Sequence, residues 1–347
     1  MNNKAIIAMS GGVDSSVAAL VMLDSGYELL GVTLSLIENG LGDITDAKKV
    51  SDRLGFCHTV IDLKKEFETE VISRFIDAYE HCNTPNPCVI CNKYIKFGLL
   101  HDYAKANGYE YVATGHYAQV EKENGRYILK KGKDASKDQS YVLYSLTQEQ
   151  LKHTLFPLGG LSKSEVREIA EENGFVNAKK KDSQDICFVP GGDYAGFIEN
   201  YLGRTYQAGS FVDFEGNILG THQGLIRYTI GQRKGLGLSL PKPMYVCALS
   251  PETNCVILGD NSDLFSRTLI AEDINLITTD KLTSSIRAEV KVRYSQKAQK
   301  ATVHQTDDTH LFIEFDEPQR AITSGQAVVL YDGDTVIGGG TICKNDL

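Results

Sequence analysis

Strand and helix patterns alternate up to about Tyr201, and short strands broken by Gly, Asn and Asp turns take over after Gly203. A glycine-rich turn also follows the first strand directly. These observations predict an α/β doubly wound parallel sheet, followed by two smaller β-rich domains of which the last is barrel-like. The expected boundaries are 1–203, 204–265 and 266–347. A chain of 347 residues exceeds one ordinary core and agrees with such a division.

Each element has its own signal. Lys4–Met9 is an apolar run and reads as a buried strand; Ser15–Ser25 reads as a helix stopped by Gly26. Leu29–Leu36 is the next strand. Asp46–Leu54 places Ala47, Val50 and Leu54 on one helical face, and Gly55 closes it. Phe56–Leu63 is a strand, and Phe67–Tyr79 a helix with Phe67, Val71, Phe75 and Ile76 turned inward. Ile95–Ala106 is a helix ending near Gly108, and Tyr109–Ala113 a strand. Glu123-Asn124-Gly125 between Ala118–Val120 and Tyr127–Lys130 is a hairpin signal. Ser162 and Glu165 have capping-box spacing and open a helix through Ala170; Gly192–Tyr201 reads as a short helix. Tyr206–Gly259 and Leu269–Cys343 read as the two β units.

Composition narrows the function classes. The hydrophobic fraction is 42% and the charged fraction 23%, as in a folded protein. No apolar run reaches the roughly 18 residues that span a bilayer, and the first residues run into a strand rather than a secretory signal. The net charge of −9 argues against nonspecific nucleic-acid binding but leaves room for local basic grooves. Eight irregularly spaced Cys favour reduced thiols and a cytoplasmic location.

Ala8-Met9-Ser10-Gly11-Gly12-Val13-Asp14-Ser15-Ser16 lies between a strand and a helix. Two glycines let backbone N–H groups converge on an anion, and the helix N-terminus adds its positive end. Ser10, Ser15 and Ser16 can donate hydroxyls to phosphate, and Asp14 can hold Mg²⁺ beside it. The Gly-Lys-Ser/Thr ending of a Walker loop is missing. The run resembles the Ser-Gly-Gly-x-Asp-Ser loop of the PP-loop ATP pyrophosphatases, which cleave ATP to AMP and pyrophosphate and adenylate a substrate.

Thr84-Pro85-Asn86-Pro87-Cys88-Val89-Ile90-Cys91 reads as a proline-stiffened loop before a helix. Helix proximity together with Lys93 and Lys96 is expected to lower the Cys91 thiol pKa. A second thiol, Cys187, sits in a polar run after Lys179-Lys180-Lys181. Cys57, Cys247, Cys255 and Cys343 lie in apolar strand-like runs and read as small buried hydrophobes. Cys82 reads as a neutral surface residue. No metal-ligand spacing links the eight histidines.

With Ala113-Thr114-Gly115-His116-Tyr117, Lys137-Asp138-Gln139-Ser140-Tyr141, Tyr228–Gly237, Val292-Arg293-Tyr294 and Gly325-Gln326, these runs resemble the tRNA-specific 2-thiouridylase family over essentially the whole chain. The resemblance implies an enzyme, a tRNA-uridine 2-sulfurtransferase, that uses ATP to replace the C2 oxygen of the wobble uridine with sulfur. It implies ATP contacts at Ala8, Met9, Ser10, Gly11, Gly12, Val13, Asp14, Ser15, Leu34 and Gly115. Asn86, Pro87 and Cys88 would face the target base. Cys91 would be the nucleophile and Cys187 the persulfide carrier, and the two would form a transient disulfide. His116, Lys137, Asp138, Gln139, Arg293, Tyr294 and Gln326 would hold tRNA. The partners implied are tRNA and a sulfur donor, either a cysteine desulfurase or a sulfur-relay protein.

Cys88 departs from the Asp that many family members carry there. Cys88, Cys91 and Cys187 together offer three thiolates, enough for a [4Fe–4S] cluster with one open iron. Cys82 is a fourth candidate, and Cys-x-x-Cys is also a zinc spacing. Persulfide and cluster readings both stand open at this level. Four basic runs are further tRNA candidates: Lys130–Lys137, Lys179–Lys181, Arg227 with Arg233 and Lys234, and Arg287–Lys300. Two other functions compete: a PP-loop enzyme adenylating a small substrate, and a noncatalytic RNA-binding protein.

Overall fold

The structure is a computed structural model that describes residues 3–38, 41–180 and 186–343. Five strands form the first sheet: β1 (Lys4–Ala8), β2 (Glu28–Ser35), β3 (Cys57–Asp62), β4 (Tyr111–Ala113) and, after the hairpin β5 (Ala118–Glu123) and β6 (Arg126–Lys131), β7 (Thr154–Leu155). Their order is β3-β2-β1-β4-β7, and every pairing is parallel. The order reverses beside β1, so a crevice opens at its carboxyl end, where sheets of this class take ligands. One face packs Ala5, Ile7 and Met9 against helix α1 (Val13–Asp24) and the helix Lys163–Glu172. The other packs Ile6, Val32 and Val112 against Leu100 and Ala104.

Two helices differ from their sequence-based limits. The one expected at Phe67–Tyr79 runs over 64–80 with a wider-wound middle at Glu68–Ile72. The one expected from Ile95 begins at Pro87 and continues to Ala106. Asn86 accepts the Cys88 N–H at 3.1 Å as its cap, and Pro87, which has no N–H to lose, takes the first helical position. Pro87 therefore opens the helix, while Pro85 stays in the loop ahead of it.

The central sheet has the order β10-β11-β8-β9, from β8 (Gly209–Val212), β9 (Ile218–His222), β10 (Tyr245–Ser250) and β11 (Cys255–Gly259). Then follow β12 (Phe265–Leu276), β13 (Ile286–Lys291), β14 (Gln299–Gln305), β15 (Leu311–Arg320), β16 (Ala327–Asp332) and β17 (Thr335–Ile342). They pair in the order β12-β15-β14-β13-β16-β17, and β12 also pairs with β17, which closes a six-stranded barrel. Leu269, Ala271, Val290, Val303, Ile313 and Leu330 fill it. The β5–β6 hairpin, with Asn124 and Gly125 at φ +49° and +84°, leans on this barrel through Lys130 opposite Thr335.

Cys247 is buried, and Cys255 and Cys343 are half-buried. Cys57 is exposed, contrary to expectation, because β3 is the outer strand of its sheet.

Candidate active site

The turn after β1 sets the first half of the site. Gly11 is at φ +69°, and a Cβ there would lie 2.4 Å from the Asp43 carbonyl oxygen, so only glycine fits. The Ser15 hydroxyl donates to the Gly12 carbonyl at 3.0 Å and accepts the Ser10 N–H at 3.2 Å. Ser16 also donates to Gly12, at 3.0 Å. Gly115, beyond β4, lies so close that a Cβ would come within 2.9 Å of the Asp14 and Ser15 backbone. Ala8, Met9, Ser10, Gly11, Gly12, Val13, Asp14, Ser15 and Gly115 thus meet in one place at the switch point of the sheet. Leu34, near the end of β2, is half-buried and joins the apolar cluster that holds Cys91.

Three polar side chains to which sequence reasoning gave no role at this turn complete the loop, one of them Tyr117, which the sequence offers as a base-stacking candidate. Lys163 is buried and donates to both Asp14 oxygens, at 2.7 and 2.9 Å. The Tyr117 hydroxyl donates to the same carboxylate at 2.7 Å. Asn177 donates to the Gly11 carbonyl at 3.0 Å and to the Ser16 hydroxyl at 2.9 Å. Lys180 bonds Asp43 at 2.8 Å and Asp46 at 3.1 Å, which fastens α2 (Leu41–Leu54) beside the loop. Lys163 had a signal only as a capping-box neighbour; its approach to Asp14 spans 149 residues of chain.

The thiols form the second half. Cys88 and Cys187 are exposed and Cys91 is buried, at 7%. Cys91 packs with Phe188, Val189, Phe67 and Ile95. Burial pushes its thiol up to about 11; Lys96 pulls the other way, and nearby Cys187 and Cys88 push further up. The expected lowering is therefore overturned, because desolvation outweighs the lysine about one turn further along the helix. Cys187 has an exposed surface but is crowded by protein. Burial raises its thiol as well, and Cys88 adds to the rise. The three sulfurs are thus close enough to sense one another's charge. Among the described residues they do not bring their sulfurs within 4.8 Å of one another as a set.

The residues expected at the tRNA have internal partners. His116 is buried, its Nδ1 2.7 Å from the Thr114 hydroxyl and its ring against Phe97 and Phe156. Burial holds its imidazole well below the ordinary range. Gln139 accepts the Tyr117 N–H at 2.9 Å, and Asp138 caps the turn at Ser140. Lys137 lies in the same turn, its N–H on the Asp134 carbonyl at 2.9 Å. Arg293 donates to the carbonyls of Ala321 and Ile230 and to the Thr323 hydroxyl, tying the barrel to the central domain. Gln326 donates to the Thr84 carbonyl at 2.7 Å, while the Thr84 N–H donates to Ser324 at 2.9 Å. The barrel therefore grips the segment that leads into Asn86, Pro87 and Cys88. Tyr294 is 44% exposed, and its hydroxyl donates to the Asp138 carbonyl at 3.2 Å. Lys291 lies 5.5 Å from its ring centre; burial raises its phenol, and Asp138 and then Cys88 add to the rise. Several basic-run residues carry acidic partners, such as Lys130 on Glu121, Lys133 on Glu165 and Arg287 on Asp316.

Family models match three stretches: a tRNA methyl transferase HUP domain at 3–191, a tRNA methyl transferase PRC-barrel domain at 195–260, and an aminomethyltransferase beta-barrel domain at 266–342. A tRNA-specific 2-thiouridylase MnmA of Clostridioides difficile is 49% identical, with 99% of both chains covered. The chain belongs to the tRNA-specific 2-thiouridylase family. A second 2-thiouridylase, from Lachnoclostridium phytofermentans, is 46% identical over 98% of this chain and 99% of its own. Among solved structures, a 4-thiouridine synthetase in complex with RNA and ATP aligns over 53% of this chain and 44% of its own. Its identity is 23% and its TM-score 0.39, and the 2-thiouridylase assignment does not rest on it.

Proposed function

We infer that this chain is a tRNA-uridine 2-sulfurtransferase that thiolates the wobble uridine at C2, with ATP as co-substrate. The reading rests on an anion-binding turn at the switch point of the sheet and on three thiols near enough to sense one another's charge. Near-full-length kinship with 2-thiouridylases supports the choice of substrate.

The chemistry follows from the poor reactivity of uracil C2. Its carbonyl is urea-like, and oxide is a poor leaving group. Attack by O2 on the α-phosphorus of ATP expels pyrophosphate and converts O2 into part of a leaving AMP. The Ser10–Ser15 backbone and hydroxyls hold the phosphates, and buried Lys163 supplies positive charge at their edge. Asp14 already bonds Lys163 and Tyr117. Its carboxylate does not fit a Mg²⁺ site as it stands, so Mg²⁺ enters with the triphosphate and no step rests on it.

Cys187 receives a sulfane sulfur from a cysteine desulfurase or relay protein and becomes a persulfide. The terminal sulfur attacks C2. The Cys91 thiolate then attacks the inner sulfur of Cys187; the S–S electron pair passes to the sulfur on C2, and AMP departs. The products are 2-thiouridine, AMP and a Cys91–Cys187 disulfide, which a dithiol reductant reopens. Cys91, neutral while buried, gains nucleophilicity only when the site rearranges around bound tRNA. Tyr294, beside Cys88, offers a face on which the splayed base can stack.

The residues do not fit a [4Fe–4S] cluster without opening the apolar packing of Cys91 against Phe188 and Val189. Purification without oxygen should therefore give protein that thiolates tRNA with negligible iron and acid-labile sulfide. Near four of each per chain would sink the persulfide reading. Replacing Cys187 by Ala should abolish thiolation and spare tRNA binding; unchanged thiolation would remove Cys187 from its role. ATP–pyrophosphate turnover that ignores tRNA would point instead to a small-molecule substrate.

A further inference from the structure

The closing seam of the barrel brings together three side chains that the thiolation chemistry does not use. Glu272 lies on β12, His310 just before β15, and Cys343 just after β17. Their ligand atoms all lie within 4.8 Å of one another.

Strand register explains the meeting. Ala271 pairs with Leu311, so the antiparallel register carried one step on sets Glu272 opposite His310. On the other flank the Cys343 N–H donates to the Ile270 carbonyl at 2.9 Å. Residues 270 and 272 share a strand face. Ile270 is 44% exposed, so that face is open to solvent. The three groups therefore stand on three adjacent strands, on the outside of the barrel, across the seam that closes it.

The chemistry of the set is that of a borderline divalent cation. Thiolate, imidazole and carboxylate are the ligands of Zn²⁺, and two anions balance its charge. Tetrahedral coordination at about 2.0–2.3 Å puts ligand atoms about 3.3–3.8 Å apart, so a contraction of the cluster from within 4.8 Å suffices. His310 is already oriented. Its Nδ1 lies 3.0 Å from both Asp307 oxygens, and a proton held there by the carboxylate would leave the Nε2 lone pair for a metal. A carboxylate behind a ligating histidine is the usual outer support of such sites.

We propose that Glu272, His310 and Cys343 form a zinc-type divalent-cation site that clamps β15, β12 and β17 together, with water in the fourth position. On binding, the Cys343 thiol releases its proton to solvent and the thiolate bonds the metal. No electron transfer is involved.

The test is a cobalt(II) chloride titration of the full chain, following thiolate-to-cobalt charge-transfer absorption in the near ultraviolet. Cys88, Cys91 and Cys187 can contribute signal, so the readout is the difference between the wild type and Cys343→Ser. One equivalent of bound cobalt should be lost in Cys343→Ser and likewise in His310→Ala. Asp307→Asn should weaken that equivalent by about tenfold or more. Cobalt should raise the unfolding temperature of the wild type more than that of Cys343→Ser. Identical titrations of the wild type and His310→Ala, with both proteins folded by circular dichroism, would overturn the site. So would a signal that Cys343→Ser leaves unchanged. tRNA thiolation by Cys343→Ser should stay at the wild-type rate, which separates this site from the crevice.

Discussion

Burial, rather than the neighbouring lysines, governs Cys91. With burial pushing its thiol up to about 11, Cys91 carries little thiolate at pH 8. Alkylation by iodoacetamide at pH 8 should therefore modify exposed Cys88 and Cys187 well before Cys91. Peptide mass mapping over time reads the order directly, and Cys91 reacting first would show that the apolar packing around it is open in solution. The sign follows from the cause: desolvation penalises the charged form, so raising pH toward 11 should bring Cys91 into reach. The same residue shows the limit of motif reading. Lys93 and Lys96 are visible in the sequence, but the Phe188 and Val189 that cover Cys91 come from almost a hundred residues further on.

At the scale of elements, the helix Lys163–Glu172 links local capping to the site. Ser162 accepts the Glu165 N–H at 3.3 Å and Glu165 accepts the Ser162 N–H at 2.6 Å, the reciprocal box that the sequence predicts. That cap fixes the first helical residue, Lys163, on Asp14. Removing the hydroxyl with Ser162→Ala should cost about 1 kcal/mol of stability, measured by urea unfolding. The bonds to Ser162 and Lys133 hold the Glu165 carboxyl near 2, below its ordinary 4.5. Its support is therefore present above about pH 4.5 and fades as pH falls toward 2. Acid titration of the wild type, but not of Glu165→Gln, should show that loss; matching curves would remove Glu165 from the acid response.

At the scale of the molecule, the barrel holds the segment that leads to Cys88. Ser324 and Gln326 hold Thr84, and a Cβ at Gly325 would meet Asn83 at 2.9 Å. Replacing Gln326 by Ala removes one bond to a half-buried carbonyl, worth about 1 kcal/mol. The expected result is a thiolation rate reduced several-fold, with a change in unfolding free energy of only that size. Full thiolation in the Ala variant would mean that the barrel does not set the Cys88 segment. No helix among the described residues is long and apolar enough to cross a membrane.

What the sequence by itself determined was local. Alternating periodicity gave the parallel sheet, Asn124-Gly125 the hairpin, Ser162 and Glu165 the cap, and Ser10–Ser15 the anion turn, because each depends on residues within one turn or one strand. Kinship then joined Cys88, Cys91 and Cys187 into one reading. Tertiary structure decided the rest. Contacts between segments distant in the chain set the packing that raises the Cys91 thiol and the reach of Lys163 to Asp14. They also turned Arg293 and Gln326 inward, Arg293 onto Ile230 of the central domain as well as Ala321 and Thr323 of its own barrel, and Gln326 onto Thr84. Glu272, His310 and Cys343 are separated by 38 and 33 positions, and no sequence spacing connects them. They meet because β12 closes the barrel by pairing with both β15 and β17, and the register of those pairings is a property of the closed sheet rather than of any one strand.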